Sequence, residues 1–273
     1  MKKFLSVLLA LGLAVSATAC AGGASSSSEA ASSEPEATPA AESEAATSEA
    51  AAATGEVMTY DEYMAAAVDE AVTIESCVQA KQSYYAEQGT ATVYLQDETG
   101  AYFAYDMACT QEEYDQMTEG TRIRVSGYKA EWSGEIEIMD GQLDEILEGD
   151  TYVAEPVDVT ELLGTDELES HQNQKVKFTG LTVAPSTIEG DTTEYAFLYN
   201  YDGSGTQGDD VYFNVEYNGE KYQFLVESYL CDSESEVYKA VEALEIGQTI
   251  DCEGFLYWYE GVNPHITSVT VAG

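Results

Sequence analysis

The folded part of this chain is written twice. Gly120-Thr121-Arg122-Ile123-Arg124-Val125-Ser126-Gly127-Tyr128, followed by Trp132, Gly134 and Ile136, has a counterpart in Gly247-Gln248-Thr249-Ile250-Asp251-Cys252-Glu253-Gly254-Phe255, followed by Trp258, Tyr259 and Gly261. The three glycines keep one spacing, and Ile123 and Val125 fall where Ile250 and Cys252 stand. Upstream, Thr110-Gln111-Glu112-Glu113 and Ser233-Glu234-Ser235-Glu236 both read as capping boxes that open a short helix. Each follows an aromatic strand ending in a cysteine, Cys109 or Cys231. Earlier still, the alternating segment 72–78 matches 176–182, with a small residue, Ser76 or Gly180, in the middle. A short helix precedes each of these, at 60–68 and 159–168. Four matches in one order mark an internal duplication.

The order within a unit is strand, strand, strand, helix, strand, strand. In the first unit the strands fall near 72–81, 90–97, 101–106, 121–131 and 135–144, with Glu98-Thr99-Gly100 as a tight turn and a helix near 111–118. Five strands with one helix after the third resemble an OB-fold, a small Greek-key barrel. Ser76 and Gly180 fit that resemblance, because the first strand must bend to serve both sides of a barrel and a small residue permits a bulge. The expected fold is therefore all-β with short helices: two tandem five-stranded OB-like Greek-key barrels, at 56–149 and 150–273, after a disordered N-terminal stalk.

The second unit is the larger. Between Ala184 and Val211 it carries many extra residues, including an apparent strand at 195–201, with turn signals at Asp202-Gly203-Ser204-Gly205 and Gly208-Asp209-Asp210. An Asn218-Gly219 hairpin then supplies strands two and three. The insertion enlarges the loop between strands one and two, which in OB-folds commonly forms the ligand groove with the face of strands two and three. Long loops in compact domains are usually functional or disordered, and this one is aromatic.

Ahead of the repeat, Lys2 and Lys3 form a positive n-region, residues 4–15 an apolar run, and Ala17-Thr18-Ala19 a small-residue approach to Cys20. The apolar run is too short to span a bilayer and reads as a signal peptide at 1–19. The segment resembles a bacterial lipoprotein leader, which implies lipidation of Cys20. It has Ala17 where Leu is usual, and Ala17-Thr18-Ala19 also satisfies ordinary signal cleavage. Residues 20–55, rich in Ser, Ala and Glu, lack the apolar surface to fold and read as an extended stalk. Leader, stalk and barrels together look like surface lipoproteins of Gram-positive anaerobic bacteria. That resemblance implies a location on the extracellular face of the cell membrane.

Ten basic residues stand against 51 acidic ones, a formal net charge of −41. OB-folds often bind single-stranded nucleic acid through a basic groove with stacking aromatics. Phosphate binding depends on Lys and Arg displacing counterions, so nucleic acid is expected to be an unlikely partner. Arg122, Arg124, Lys129, Lys175 and Lys177 lie on or near outer strand faces, where cross-strand pairing with carboxylates accounts for them.

Tyrosine, at 20 of 273 residues, is the other excess. A strand phase with Val93, Leu95 and Phe103 inward turns Tyr94 and Tyr102 outward, and Tyr128 and Trp132 follow the outward phase of the fourth strand. Tyr212, Phe255, Tyr257 and Tyr259 fall outward in the second unit, and Tyr199 and Tyr201 lie in its insertion. Tyr94, Tyr102, Tyr128, Trp132, Tyr199, Tyr201, Tyr212, Tyr257 and Tyr259 are the candidate ligand-binding residues, suited to the apolar faces of sugars or the anchors of a protein partner. Domain packing and cross-strand stabilisation compete for each ring singly.

Beyond Cys20, four cysteines remain. Cys77 and Cys252 occupy ordinary core positions of the repeat, so buried free thiols are expected, with Cys77–Cys109 or Cys231–Cys252 as alternatives in an oxidising exterior. No C-x-x-C, nucleophile elbow or phosphate-cradling loop is present, and His171 and His265 sit at unrelated places in the repeat. Asp202-x-Ser204-x-Thr206 begins like a calcium loop but has Gln207 and Phe213 where that loop needs Gly and Glu. No catalytic residue, metal or cofactor is expected. The reading is a lipid-anchored surface protein that binds a glycan or an extracellular protein. The alternative is a structural lipoprotein assembling with a membrane partner, with single-stranded nucleic acid third.

Overall fold

A computed structural model describes residues 55–272. The expectations for the leader, for lipidation of Cys20 and for the stalk up to residue 54 lie outside the described residues. The first barrel begins with α1 (Tyr60–Ala65) and continues through β1 (Ala71–Lys81), β2 (Thr90–Gln96), β3 (Ala101–Ala108), α2 (Gln111–Gln116), β4 (Arg122–Trp132) and β5 (Glu135–Ile146). The strands close in the order β1-β2-β3-β5-β4. Only the β3–β5 pairing is parallel. Alternation along each strand sends Ile74, Val93, Leu95, Met107, Ile123, Val125 and Ile138 into one core. Each such side chain contributes roughly 1.5–3 kcal/mol on burial.

The second barrel is built from β6 (Val157–Asp158), β7 (Lys175–Ala184), β8 (Leu198–Tyr199), β9 (Val211–Tyr217), β10 (Glu220–Val226), α3 (Glu236–Glu242), β11 (Thr249–Phe255) and β12 (His265–Val271). Because β7 pairs with both β9 and β11, the ring β7-β9-β10-β12-β11 closes in the circular order of the first barrel. Its one internal parallel contact, β10 with β12, is again between the third and fifth strands. The short strands β6 and β8 are additions at the margins. The fold is all-β with short helices, two tandem five-stranded OB-like barrels.

The repeated glycines have steric causes. Gly120 and Gly247 take φ +85° and +87° in the turns that enter the fourth strands. Gly127 and Gly254 lie where the pairing slips by a residue. A Cβ on Gly127 would stand 2.6 Å from Ile138 Cγ2, and one on Gly254 would collide with the His265 carbonyl.

Local expectations held unevenly. Thr110 caps α2 through a full box with Glu113, but α3 starts two residues later than its sequence signal, with Ser235 accepting from the Tyr238 N–H. The helix expected at 159–168 is two 3-10 turns, Thr160–Leu162 and Asp166–His171, separated by Gly164 at φ +81°. Gly180 occupies the expected bulge: Thr179 and Gly180 together face Asp251. Ser76 pairs regularly, and the bulge of β1 comes instead at Gln79. There the Gln79 amide donates to the carbonyls of Cys77, Gln96 and Tyr152 and accepts from the Ala154 N–H, pinning the inter-barrel connection to the first barrel. Arg124 pairs with Glu75 and Glu145, whereas Lys129 is buried and donates to the carbonyls of Tyr63, Met64 and Ala66 at the end of α1. All four described cysteines are free.

The two barrels pack into one compact unit. Tyr94, Phe103 and Phe255 form a small apolar core between them, with Tyr94 and Phe255 stacked at 4.5 Å between ring centroids. Polar ties surround it. Lys175 N–H donates to Gln96 Oε1 at 2.7 Å, Gln172 Nε2–H to the Gly134 carbonyl at 2.7 Å, and Trp258 N–H to Glu135 Oε2 at 2.8 Å.

Candidate functional site

Beside this junction the barrels leave a cleft of about 970 Å³. The first barrel contributes Thr92 from β2, Phe103 and Tyr105 from β3, and the segment 82–85. The second contributes Tyr212 from β9, Gln223 and Leu225 from β10, Glu227 just beyond, and Tyr201 from the insertion. The faces of strands two and three of both barrels thus meet across one space. Tyr257, Tyr259, Asn263 and His265 complete it. Side chains alternate along a strand, so Phe103, Tyr105 and Tyr212, which leave their own barrels' cores on β3 and β9, face this shared space.

The tyrosines divide into rim and floor. Tyr85, Tyr105, Tyr201, Tyr229 and Tyr259 are exposed, Tyr201 by 69%. Tyr84, Tyr212 and Tyr257 are half-buried. Tyr257 stacks on His265 with centroids 4.3 Å apart, and Tyr201 meets Tyr212 edge-on. These rings offer flat apolar faces with a hydroxyl at one end.

The charged and amide groups of the cleft are Asp106, Glu227, Gln82, Gln223 and Asn263, with the hydroxyls of Ser83 and Thr92 beside them. Glu227 is 8% exposed, and its Oε2 has no hydrogen-bond donor within the protein. Burial, with the Asp210 carboxylate adding to it, raises the Glu227 pKa to about 7, against a partial offset from the backbone amides of Tyr229 and Leu230. His265 is buried, which lowers its pKa to about 3 and keeps the imidazole neutral. Its Nδ1 lies 2.6 Å from Tyr94 Oη. Gln82 Nε2 reaches the same hydroxyl at 3.5 Å as a donor, which leaves the Tyr94 O–H free to donate to the imidazole. Burial also raises Tyr212 to about 12, so its phenol remains protonated.

Four of the nine candidate aromatics come together in this cleft: Tyr201, Tyr212, Tyr257 and Tyr259. Tyr94 and Tyr102 are not outward-facing platforms. Tyr102 is a core residue of the first barrel, and Tyr94 is buried against the second. The expected phase put Phe103 on the face of Leu95, but Leu95 stands opposite Tyr102 and Tyr94 opposite Phe103. A slip of one residue in register reverses every side chain of a strand. Tyr199 donates to Glu242 at 2.6 Å and packs on the second barrel's core. Tyr128 and Trp132 are exposed but lie outside the cleft, Tyr128 beside α1 in a shallower groove. Tyr84, Tyr85, Tyr105, Tyr229, Glu227 and His265 were missed by the sequence reading. Tyr105 follows from the corrected phase of β3, since it shares a face with Phe103.

Among the described residues no group of three or more His, Cys, Asp or Glu is placed to hold a metal ion. Asp202 Oδ1 accepts from the Ser204 N–H, a turn closed on itself.

No protein-family model matches the chain, and no curated protein matches its sequence. Solved structures resemble it weakly. A murine DNA-binding protein bound with double-stranded DNA is 14% identical, covers 74% of this chain and 96% of its own, and has a TM-score of 0.34. The Ifi202 HINa domain in complex with 20-base-pair DNA is 10% identical over 76% of this chain and 96% of its own, with a TM-score of 0.32. A replication protein A heterotrimer bound to single-stranded DNA is 12% identical over 74% of this chain and 49% of its own, with a TM-score of 0.30. Likeness at this level leaves the fold to be argued from this chain's own strand order. These neighbours overturn one expectation: nucleic acid, set aside on net charge, returns to the classes of partner that must be tested.

Proposed function

We propose that the protein is a binding module that takes a saccharide in the cleft between its two barrels and holds it by ring stacking and hydrogen bonds to carboxylate and amide groups. The observation that carries this reading is the gathering of exposed and half-buried tyrosines from both barrels around Glu227, Asp106, Gln82, Gln223 and Asn263. Sugars present apolar C–H faces edged with hydroxyl donors, and such a lining matches both. No reacting group is assigned, and the module acts by binding. The resemblance of residues 1–20 to a lipoprotein leader supports an anchor on the outer face of a membrane through lipid on Cys20. A Cys20→Ser variant released into the medium supports that anchor, and one retained at the membrane removes it.

Titration of the full chain against a panel of oligosaccharides, with single-stranded and double-stranded oligonucleotides in parallel, tests the reading. Saccharide binding that falls on Tyr201→Ala or Tyr259→Ala supports it. Nucleobases also offer flat faces to stack on, so oligonucleotide binding with no saccharide binding replaces this reading with the nucleic-acid one.

A further inference from the structure

Glu227 is the one cleft carboxylate that is more than nine-tenths buried, and its Oε2 has no donor inside the protein. A buried carboxylate oxygen is costly to leave unpaired, and native structures usually supply a partner. The surroundings say what kind of partner. Asp210 lies close enough to act on Glu227 electrostatically, and it is itself held by the N–H and hydroxyl of Ser228 at 2.8 and 2.7 Å. Tyr105 and Tyr212 stand near the same carboxylate. A buried carboxylate with aromatic side chains beside it offers an organic ammonium group a charged acceptor and apolar contact together. No Lys or Arg lines the cleft. A protonated amine would supply both the missing donor and the missing charge.

We propose that the cleft recognises a saccharide bearing a free amine, with Glu227 as the anchor of the ammonium group and Tyr105 and Tyr212 as the rings beside it. The inference rests on the saccharide reading and narrows it to amino sugars that are not N-acylated. An acetyl group on the nitrogen removes its charge and leaves a neutral amide against a carboxylate buried among rings. Selection by Glu227 is therefore selection against acylation.

The test titrates the full chain with two probes of equal length, an oligomer of β-1,4-linked glucosamine and the same oligomer fully N-acetylated. A charge-assisted hydrogen bond in a buried site should favour the free amine by about tenfold or more. In Glu227→Gln the ratio of the two affinities should fall to near one. Attraction of the cationic oligomer to the acidic surface as a whole would survive that substitution, because 50 carboxylates would remain of 51. A preference unchanged in Glu227→Gln therefore overturns the assignment. Equal binding of both probes by the unaltered protein also overturns it while sparing the saccharide cleft. Binding of neither removes both. Should Glu227→Gln fail to fold, Tyr105→Ala, at an exposed ring, provides the second variant, and it must reduce the preference for the amine if the proposal holds.

Discussion

Tyr94 Oη lies 2.6 Å from His265 Nδ1, although the two residues are 171 apart in the chain. One sits on β2 of the first barrel and the other opens β12 of the second, so this buried hydrogen bond joins the two copies of the repeat alongside the ties at Gln96, Gly134 and Glu135. Its neighbours, Phe103, Phe255 and Tyr257, are also contributed by both. Phe103, Tyr257 and His265 belong both to this seam and to the lining of the cleft.

Tyr94→Phe keeps the ring and removes the hydroxyl. It should destabilise the protein by about 1–3 kcal/mol, because the buried imidazole is left without its partner. Denaturant unfolding followed by tryptophan fluorescence measures this. Unchanged stability would mean that the seam does not depend on the bond.

Gly254→Ala should cost at least about 1–3 kcal/mol, since the new methyl meets the backbone of His265 and Ile266 rather than a side chain that can turn away. Gly127→Ala should behave alike, its Cβ meeting Ile138 and the Met139 carbonyl. Thermal unfolding of the two variants checks both. Tolerance of either would show that this spacing is not steric in origin.

Stability should fall as pH rises. Burial raises the pKa of Glu135 to about 9 and that of Glu137 to about 7, and burial with the Asp210 carboxylate raises that of Glu227 to about 7, all from an ordinary 4.5. A carboxyl with a raised folded-state pKa binds its proton more tightly in the folded chain. Its contribution is complete below the ordinary value and is lost as pH climbs through the raised one. The groups acting on Glu135 are Glu137, the Trp258 N–H and the Asn173 amide, while Tyr63 and Tyr257 also lie within its field. The melting temperature should decline between about pH 5 and pH 9, and Glu135→Gln should flatten the upper part of that decline. A profile that rises over this range would contradict the burial of these carboxyls.

The rim and core aromatics should separate cleanly on substitution. Tyr201→Ala and Tyr259→Ala should leave stability within about 0.5 kcal/mol, while Tyr102→Ala should cost about 3–5 kcal/mol. Saccharide affinity should follow the opposite order. Loss of affinity in Tyr201→Ala together with loss of stability would place that ring in the packing and not in the site.

The barrels were legible because duplication exposes what is structural: Gly120, Gly127 and Gly134 mean little alone and much beside Gly247, Gly254 and Gly261. Strand phase was legible where β4 pairs regularly with β1, as at Ile123 and Val125. It failed at Tyr102 and Phe103, one residue out of register, because β2 and β3 slip between Ala91 and Val93 and nothing in their alternating apolar residues marks the slip. Burial of Tyr94 could not be read from its own barrel, since the second barrel covers it. His265 finds its partner, Tyr94, in the other copy, while Glu227 takes its character from burial and from Asp210 within its own.

The small core of Tyr94, Phe103 and Phe255 has a bearing on ancestry. A lone progenitor barrel carrying these rings would have presented them to water as a sticky patch, an invitation to pair with its own kind. Fusing two copies in tandem would turn a chance encounter into a permanent marriage. Once joined, each half was free to diverge so long as it still fitted the other, which is why Tyr94 and Phe255 now answer each other from unlike positions in the repeat.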